Sequence, residues 1–219
     1  MYQKEKIRHA FFGRENLSDR VIITPLSFLY NSLFKDYKTN NETRGWWNSK
    51  DIEVDGNSIS VLKIPQGYSI VDAVLSLDNP EKIIFMGYAG GNSEKVKVGS
   101  IVYPISAIRG NEAVTLPESK LITVPDSIHK GSLIHADTFL EQDNKFINRI
   151  IKEGISSVDM ETFLLYSISE KNNYGSHSFV IVSDLIDKKP FYKISSEDIE
   201  QIKASYGQLE ELVVNAAKN

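Results

Sequence analysis

Short runs of branched apolar residues alternate with stretches of helical spacing along most of the chain, and that alternation decides the fold class. Val21-Ile22-Ile23 reads as a buried strand ending at Thr24-Pro25. Leu26, Leu29, Tyr30, Leu33 and Phe34 then recur at helical spacing, with Pro25 suited to a first helical turn. Lys82-Ile83-Ile84-Phe85-Met86 is a second buried strand, running into a glycine loop, Gly87-Tyr88-Ala89-Gly90-Gly91. Phe179-Val180-Ile181-Val182 is a third, with the polar exit Ser183-Asp184. Strands are also expected over 98–108, 121–124 and 132–136, and helices over 70–77, 144–153 and from Asp159 to about Lys171. Ile52-Glu53-Val54, the turn Asp55-Gly56-Asn57 and residues 59–64 read as a hairpin. Residues 38–48 are polar except for Trp46-Trp47, and Ser195-Ser196-Glu197-Asp198 opens one long C-terminal helix. Elements that alternate without segregating argue for a single α/β domain over residues 1–219, a three-layer αβα fold around a central mixed, mostly parallel sheet.

Composition narrows the function. A chain of 219 residues is long enough for a large core. A formal charge of −4 argues against general binding of nucleic acid or anionic membranes, though not against a small anion held by a few local cations. Without cysteines there is neither a disulfide framework nor a thiolate metal site. His9, His129, His135 and His177 show no zinc-ligand spacing, so no metal is expected. The segment Met1-Tyr-Gln-Lys-Glu-Lys-Ile-Arg-His9 lacks the apolar core of a signal peptide, and no run approaches the length of a membrane span. The expectation is a cytoplasmic, metal-independent protein.

In an open α/β sheet, ligands bind beyond the carboxyl ends of the strands. Those ends carry Thr24, residues 87–91, Arg109, residues 135–139, Asp159 to Glu161, and Asp184. Two acids stand out. Glu161 begins the apolar-periodic run from Met160 to Tyr166, and Asp184 follows an apolar strand, so both carboxylates are expected to face one pocket. Taken singly, Asp184 reads as a turn or capping aspartate and Glu161 as a helix-terminus charge. Their joint occurrence with Met160 and Phe139 favours a site.

Several of these stretches together resemble the nucleoside phosphorylase and nucleosidase superfamily. Val158-Asp-Met-Glu161 is similar to its ribose-binding Val-Glu/Asp-Met-Glu segment, and Val182-Ser183-Asp184 to the Val-Ser-Asp segment whose aspartate protonates the leaving base. Gly131-Ser-Leu-Ile-His135-Ala-Asp137-Thr-Phe139 is similar to a strand of hexameric bacterial purine nucleoside phosphorylases. Residues 85–91 with 96–102 resemble the superfamily's glycine loop and the strand after it. Asn40-Asn41-Glu42-Thr43-Arg44-Gly45 resembles the stretch that lends an arginine to a neighbouring subunit's phosphate site.

The resemblance implies a purine nucleoside as the small-molecule partner, cleaved at its N-glycosidic bond with no cofactor, phosphate being a possible co-substrate. It implies a homo-oligomer (dimer, trimer or hexamer), and Arg44 with Trp46-Trp47 suits the interface. Glu161 would accept hydrogen bonds from two ribose hydroxyls, kept ionised by the helix terminus, while Met160 packs beneath the sugar. Asp184, its pKa raised by desolvation, would protonate the base, with Lys188 or Lys189 as candidates to orient it. Phe139 and Ser183 would meet the base, residues 87–90 would form the glycine loop, and Arg44 is the candidate phosphate ligand.

Three departures leave the acceptor open. The first strand–helix loop, Thr24-Pro25-Leu26-Ser27-Phe28-Leu29, has neither the phosphorylases' arginine nor the nucleosidases' water-activating glutamate. Phe85 stands where a second arginine belongs, and Tyr88 where the loop's serine or threonine belongs. Arg44 alone is a poor cradle for a dianion, and Arg109 is a further candidate. Phosphate and water both stay open as acceptors. The rival reading is a catalytically silent nucleoside-binding module of the same fold. A nucleotide-dependent enzyme of another α/β family is disfavoured, since neither G-x-G-x-x-G nor a P-loop occurs.

Overall fold

The structure, a computed structural model, describes residues 3–218. Met1, Tyr2 and Asn219, and with them the first residues of the segment read for a signal peptide, lie outside the described residues. The centre of the fold is a parallel spine of four strands: β4 (Asn57–Lys63), β1 (Arg20–Thr24), β5 (Lys82–Gly91) and β10 (Gly175–Leu185). Val21 to Ile23, Ile83 to Met86 and Phe179 to Val182 have no exposed surface. Burial on both faces is why these strands read as unbroken apolar runs rather than as alternation. Three more strands extend one end of the spine into a ring: β6 (Ile101–Arg109), β8 (His129–His135) and β9 (Ser157–Asp159). β10 pairs with β6, β6 with β8, β8 with β9, β9 with β5, and β5 returns to β10. At the other end β3 (Asn48–Val54) and β2 (Lys38–Arg44) continue antiparallel, and β7 (Glu112–Thr115) folds back on β6.

Helices cover the sheet. α7 (Tyr206–Lys218) packs on β1, β5 and β10, whereas α5 (Thr162–Asn172) packs on β6, β8 and β10 and is backed by α3 (Ser69–Ser76). α5 is fixed at its middle by Tyr166, whose hydroxyl donates to the Pro104 carbonyl at 2.7 Å and accepts from the Ser178 amide at 3.1 Å. The expected hairpin forms between β3 and β4. Asp55 (φ 49°) and Gly56 (φ 80°) both take left-handed backbone, the twist-matched turn that Asp-Gly favours. α4 (Asn144–Glu153) runs between Asp143, whose side chain accepts from the Phe146 amide, and Gly154 at φ 65°.

The structure corrects several local readings. A helix, α1 (Lys4–Phe12), lies in the N-terminal segment, for which no element is expected; its hold on the fold is Phe12, fully buried, and Arg8, which donates to the carbonyls of Glu15 and Ser76. The polar stretch 38–44 is the edge strand β2, paired on one side only and decorated with Lys38–Glu53 and Asn40–Glu53 contacts, so it carries no apolar alternation. Residues 121–124 form no ladder. They are apolar because Leu121, Ile122 and Val124 pack on the core as extended chain, with Ile122 and Val124 lying along α7. The single C-terminal helix is two, α6 (Ser196–Ala204) and α7, divided at Ser205, whose hydroxyl donates to the Gly99 carbonyl at 2.5 Å. Finally, residues 87–91 are strand rather than loop: they stay paired with β10 as far as Gly91 opposite Leu185.

Candidate active site

The last residues of β5 lie between two strands that each carry an acid at or next to their last residue. Gly90 pairs with Asp184 of β10 on one side and with Val158 of β9 on the other. The β10 ladder slips by one residue between Val182 and Asp184, a bulge that re-aims the strand end. Gly90 has no side chain for a reason: a Cβ there would come within 2.5 Å of Ile186 Cγ2, 3.1 Å of Val158 Cγ1 and 3.7 Å of Asp184 Oδ2. The space beyond these strand ends is a cavity of about 160 Å³.

Among the residues named from sequence, Tyr88, Ala89, Gly90, Phe139, Met160, Glu161, Ser183 and Asp184 all line this cavity. Gly87 lies outside the lining, buried one position deeper, where its missing Cβ makes room for the Phe85 ring. Arg44 is exposed at the end of β2 and also lies outside the lining. Beside it Trp46 is 76% exposed, while Trp47 stacks on Phe11 with ring centroids 4.2 Å apart. Arg109 lines a different cleft, where it donates to Asp137 at 2.9 Å and to the Tyr68 hydroxyl. His135 is buried with its Nε2 3.0 Å from Asp137, and His177 is buried with its Nδ1 3.0 Å from the Tyr103 hydroxyl.

Glu161 precedes the first turn of α5 and is 4% exposed. It accepts from the Gly67 amide at 2.6 Å and from the Met160 amide at 3.3 Å. Its charge state is more contested than its place at a helix terminus suggests. Burial raises its pKa, and the two N–H donors pull it back. Asp159 is the acid that sequence reasoning left without a role. It accepts from the amides of Glu161 and Thr162 and, at 2.5 Å, from the Thr162 hydroxyl, so it fixes the turn that delivers Glu161. Burial, and then the nearby Glu161 charge, push its pKa up to about 8. Only the position of Asp159 inside the Val158-Asp-Met-Glu161 segment hints at it in the sequence.

Asp184 is 6% exposed, and burial raises its pKa. Its partners are the Ser183 hydroxyl at 2.7 Å and the Phe191 amide. Lys189 is not its orienter. That ammonium pairs with Asp198 and donates to Ser195 Oγ at the start of α6, while the Lys188 amide bonds the Leu185 carbonyl. Phe139 sits in a short 3-10 turn, half-exposed, with its ring 4.9 Å from that of Phe191. Phe191, Gln66 and Gln142 also line the cavity and carry no motif that would have singled them out. Among the described residues no group of histidines and acids is arranged to hold a metal, and no helix is long and apolar enough to cross a membrane.

Fold and site together define an α/β protein with a carboxylate-lined cavity at the strand ends. No family model matches the sequence. The chain is 25% identical over 236 residues to a DeoD-type purine nucleoside phosphorylase of Buchnera aphidicola subsp. Acyrthosiphon pisum (strain Tuc7), covering 95% of this chain and 97% of that relative. Its fold is similar to that of uridine phosphorylase from Vibrio fischeri ES114 (TM-score 0.71, 17% identity, 92% and 90% of the two chains covered). It is also similar to that of the Campylobacter jejuni 5′-methylthioadenosine/S-adenosyl homocysteine nucleosidase (TM-score 0.70, 14% identity, 92% and 98% covered). These likenesses support the nucleoside phosphorylase and nucleosidase superfamily as the one this chain resembles, and its α/β fold is theirs.

Proposed function

We propose that this protein cleaves the N-glycosidic bond of a nucleoside, a purine nucleoside by its likeness to the DeoD-type relatives. The observation that carries the reading is the placement of two buried acids, Glu161 and Asp184, around one cavity at Gly90. Breaking the bond builds positive charge on the sugar carbon and negative charge on the base. Glu161 accepts hydrogen bonds from the ribose hydroxyls, and its ionised form favours the cationic sugar. Met160 packs beneath the ribose. Asp184, which burial favours in its protonated form, donates to the departing base nitrogen, with Ser183 and the Phe191 amide fixing its carboxyl. Phe139, paired with Phe191, offers an aromatic face to the base.

In this reading the chemistry needs no metal or organic cofactor, and the protein is a cytoplasmic homo-oligomer. Arg44 and the exposed Trp46 lie at the contact between copies, and phosphate and water are the two acceptor candidates. Incubating the protein with a panel of nucleosides, with and without phosphate, and following free base tests the reading. Binding without release would favour the silent module instead.

A further inference from the structure

We infer that the acceptor in this cavity is water rather than phosphate, because one side of it is walled by a tyrosine bonded to a second tyrosine outside the lining, and its ionisable side chains are otherwise acids. The inference rests on the proposed reading of the cavity as a nucleoside-cleaving site. Tyr88 lines the cavity two residues before Gly90, and its hydroxyl lies 2.5 Å from that of Tyr206, the first residue of α7. The Tyr206 ring is in turn 5.1 Å from that of Phe28 in α2 (Ser27–Ser32). Of the three rings Tyr88 alone walls the cavity, backed by Tyr206 and, behind that, Phe28. Burial raises the Tyr88 phenol above its ordinary value, so this wall stays neutral.

The rest of the lining has one sign. Asp159, Glu161 and Asp184 all reach the cavity, and among the described lining residues there is no lysine, arginine or histidine. Two cations in the surrounding structure are committed elsewhere, and a third lies in another groove. Arg109 is held by Asp137 in its own cleft, and Lys189 by Asp198. Lys63 lines a separate groove with Pro25, Trp46 and Trp47. A phosphate dianion entering here would meet Glu161 and two acids that burial favours in their protonated forms, in a low-dielectric hollow whose own lining offers no cation to offset its lost hydration. Water carries no such cost, and an ionised Glu161 favours a cationic sugar.

The step balances without another reactant. The C1′–N bond breaks, its electron pair goes to the base nitrogen, and that nitrogen takes the Asp184 proton. Water oxygen bonds C1′ and gives up one proton to solvent, from which Asp184 is protonated again. The products are free sugar and free base.

The test uses the full chain as purified, in whatever assembly it adopts, so that any phosphate ligand supplied by a second copy is present. Nucleosides are incubated with and without inorganic phosphate, free base is followed, and the sugar product is identified by mass and 31P NMR. The expected result is base with free sugar, at a rate that phosphate leaves unchanged. Formation of a sugar 1-phosphate, or an acceleration of about tenfold or more on adding phosphate, overturns the inference while leaving glycosidic cleavage standing. No base from any nucleoside under either condition removes the underlying reading, and the inference with it.

Discussion

Gly67 and Glu161 lie 94 positions apart in the chain and are joined by an N–H···O bond of 2.6 Å. Gly67 holds left-handed backbone at φ 75°, a conformation that costs other residues about 1–2 kcal/mol. The loop before α3 is therefore shaped to aim one amide at the proposed sugar-binding carboxylate. Gly67→Ala is expected to raise KM for the nucleoside more than it lowers kcat. Glu161→Ala removes charge-assisted hydrogen bonds of about 1.5–3 kcal/mol, which corresponds to a KM rise of roughly 10- to 150-fold. Steady-state kinetics on both variants checks this, and an unchanged KM in Glu161→Ala would remove the sugar-binding assignment.

Asp184 must carry a proton to act as an acid. Its pKa is raised by burial, so activity should persist above the ordinary carboxylate range and fall as pH rises through the shifted value. The Ser183 hydroxyl stabilises the ionised form, and deleting it should raise the pKa further. Ser183→Ala is accordingly expected to move the alkaline limb of the kcat profile to higher pH. Asp184→Asn should abolish turnover and leave nucleoside binding intact, read by single-turnover base release beside equilibrium binding. Full activity in that variant would show that another group supplies the proton.

Stability should depend on pH through two buried groups of opposite sign. Asp159, near 3.8 when unfolded and about 8 when folded, binds more protons in the native state between those values, so its contribution declines as pH rises. His177 falls from 6.5 to about 4 on burial, so its contribution grows as pH rises between those values. Between about 4 and 6.5 the two oppose each other; above that the histidine's slope is gone and the aspartate's downward slope persists to about 8. Melting temperature should decrease across that upper window in the natural protein and run flatter in Asp159→Asn. Parallel slopes for the two proteins would contradict the assignment.

Gly90→Ala is expected to destabilise the fold by about 1–3 kcal/mol, the usual cost of overpacking. The added carbon meets methyl groups of Ile186 and Val158, both buried, so these side chains must shift within a packed region. For a chain of this size that corresponds to a fall in Tm of about 2–4 °C per kcal/mol. A thermal melt measures it, and activity should drop alongside because Asp184 lies on the same rung.

Buried continuous strands were the most legible parts of the chain, because Val21-Ile22-Ile23 and Phe179 to Val182 have no other stable use for their apolar surface. The cavity lining was legible where a residue type carries chemistry, as with Glu161 and Asp184. Partners that act through their backbone were not: the Gly67 and Phe191 amides leave no mark on side-chain identity. Edge strand β2 escaped for a related reason, since a strand paired on one side and wet on the other needs no apolar pattern. The glycine run at 87–91 misled because glycine signals turns far more often than strands crowded by neighbours on both faces.

The ring of strands through β5, β9 and β10 has a bearing on motion. Ladder bonds on both sides of Gly90 tie Asp184 to the strand that leads into Glu161, so the cavity has little freedom to breathe at its floor. Admission of a ligand then falls to the rim, where Phe139 and Phe191 rest on each other from short 3-10 turns. Amide exchange would accordingly be slow along residues 179–184 and rapid at 139–142 and 190–193, with opening and closing of the aromatic pair timing each visit.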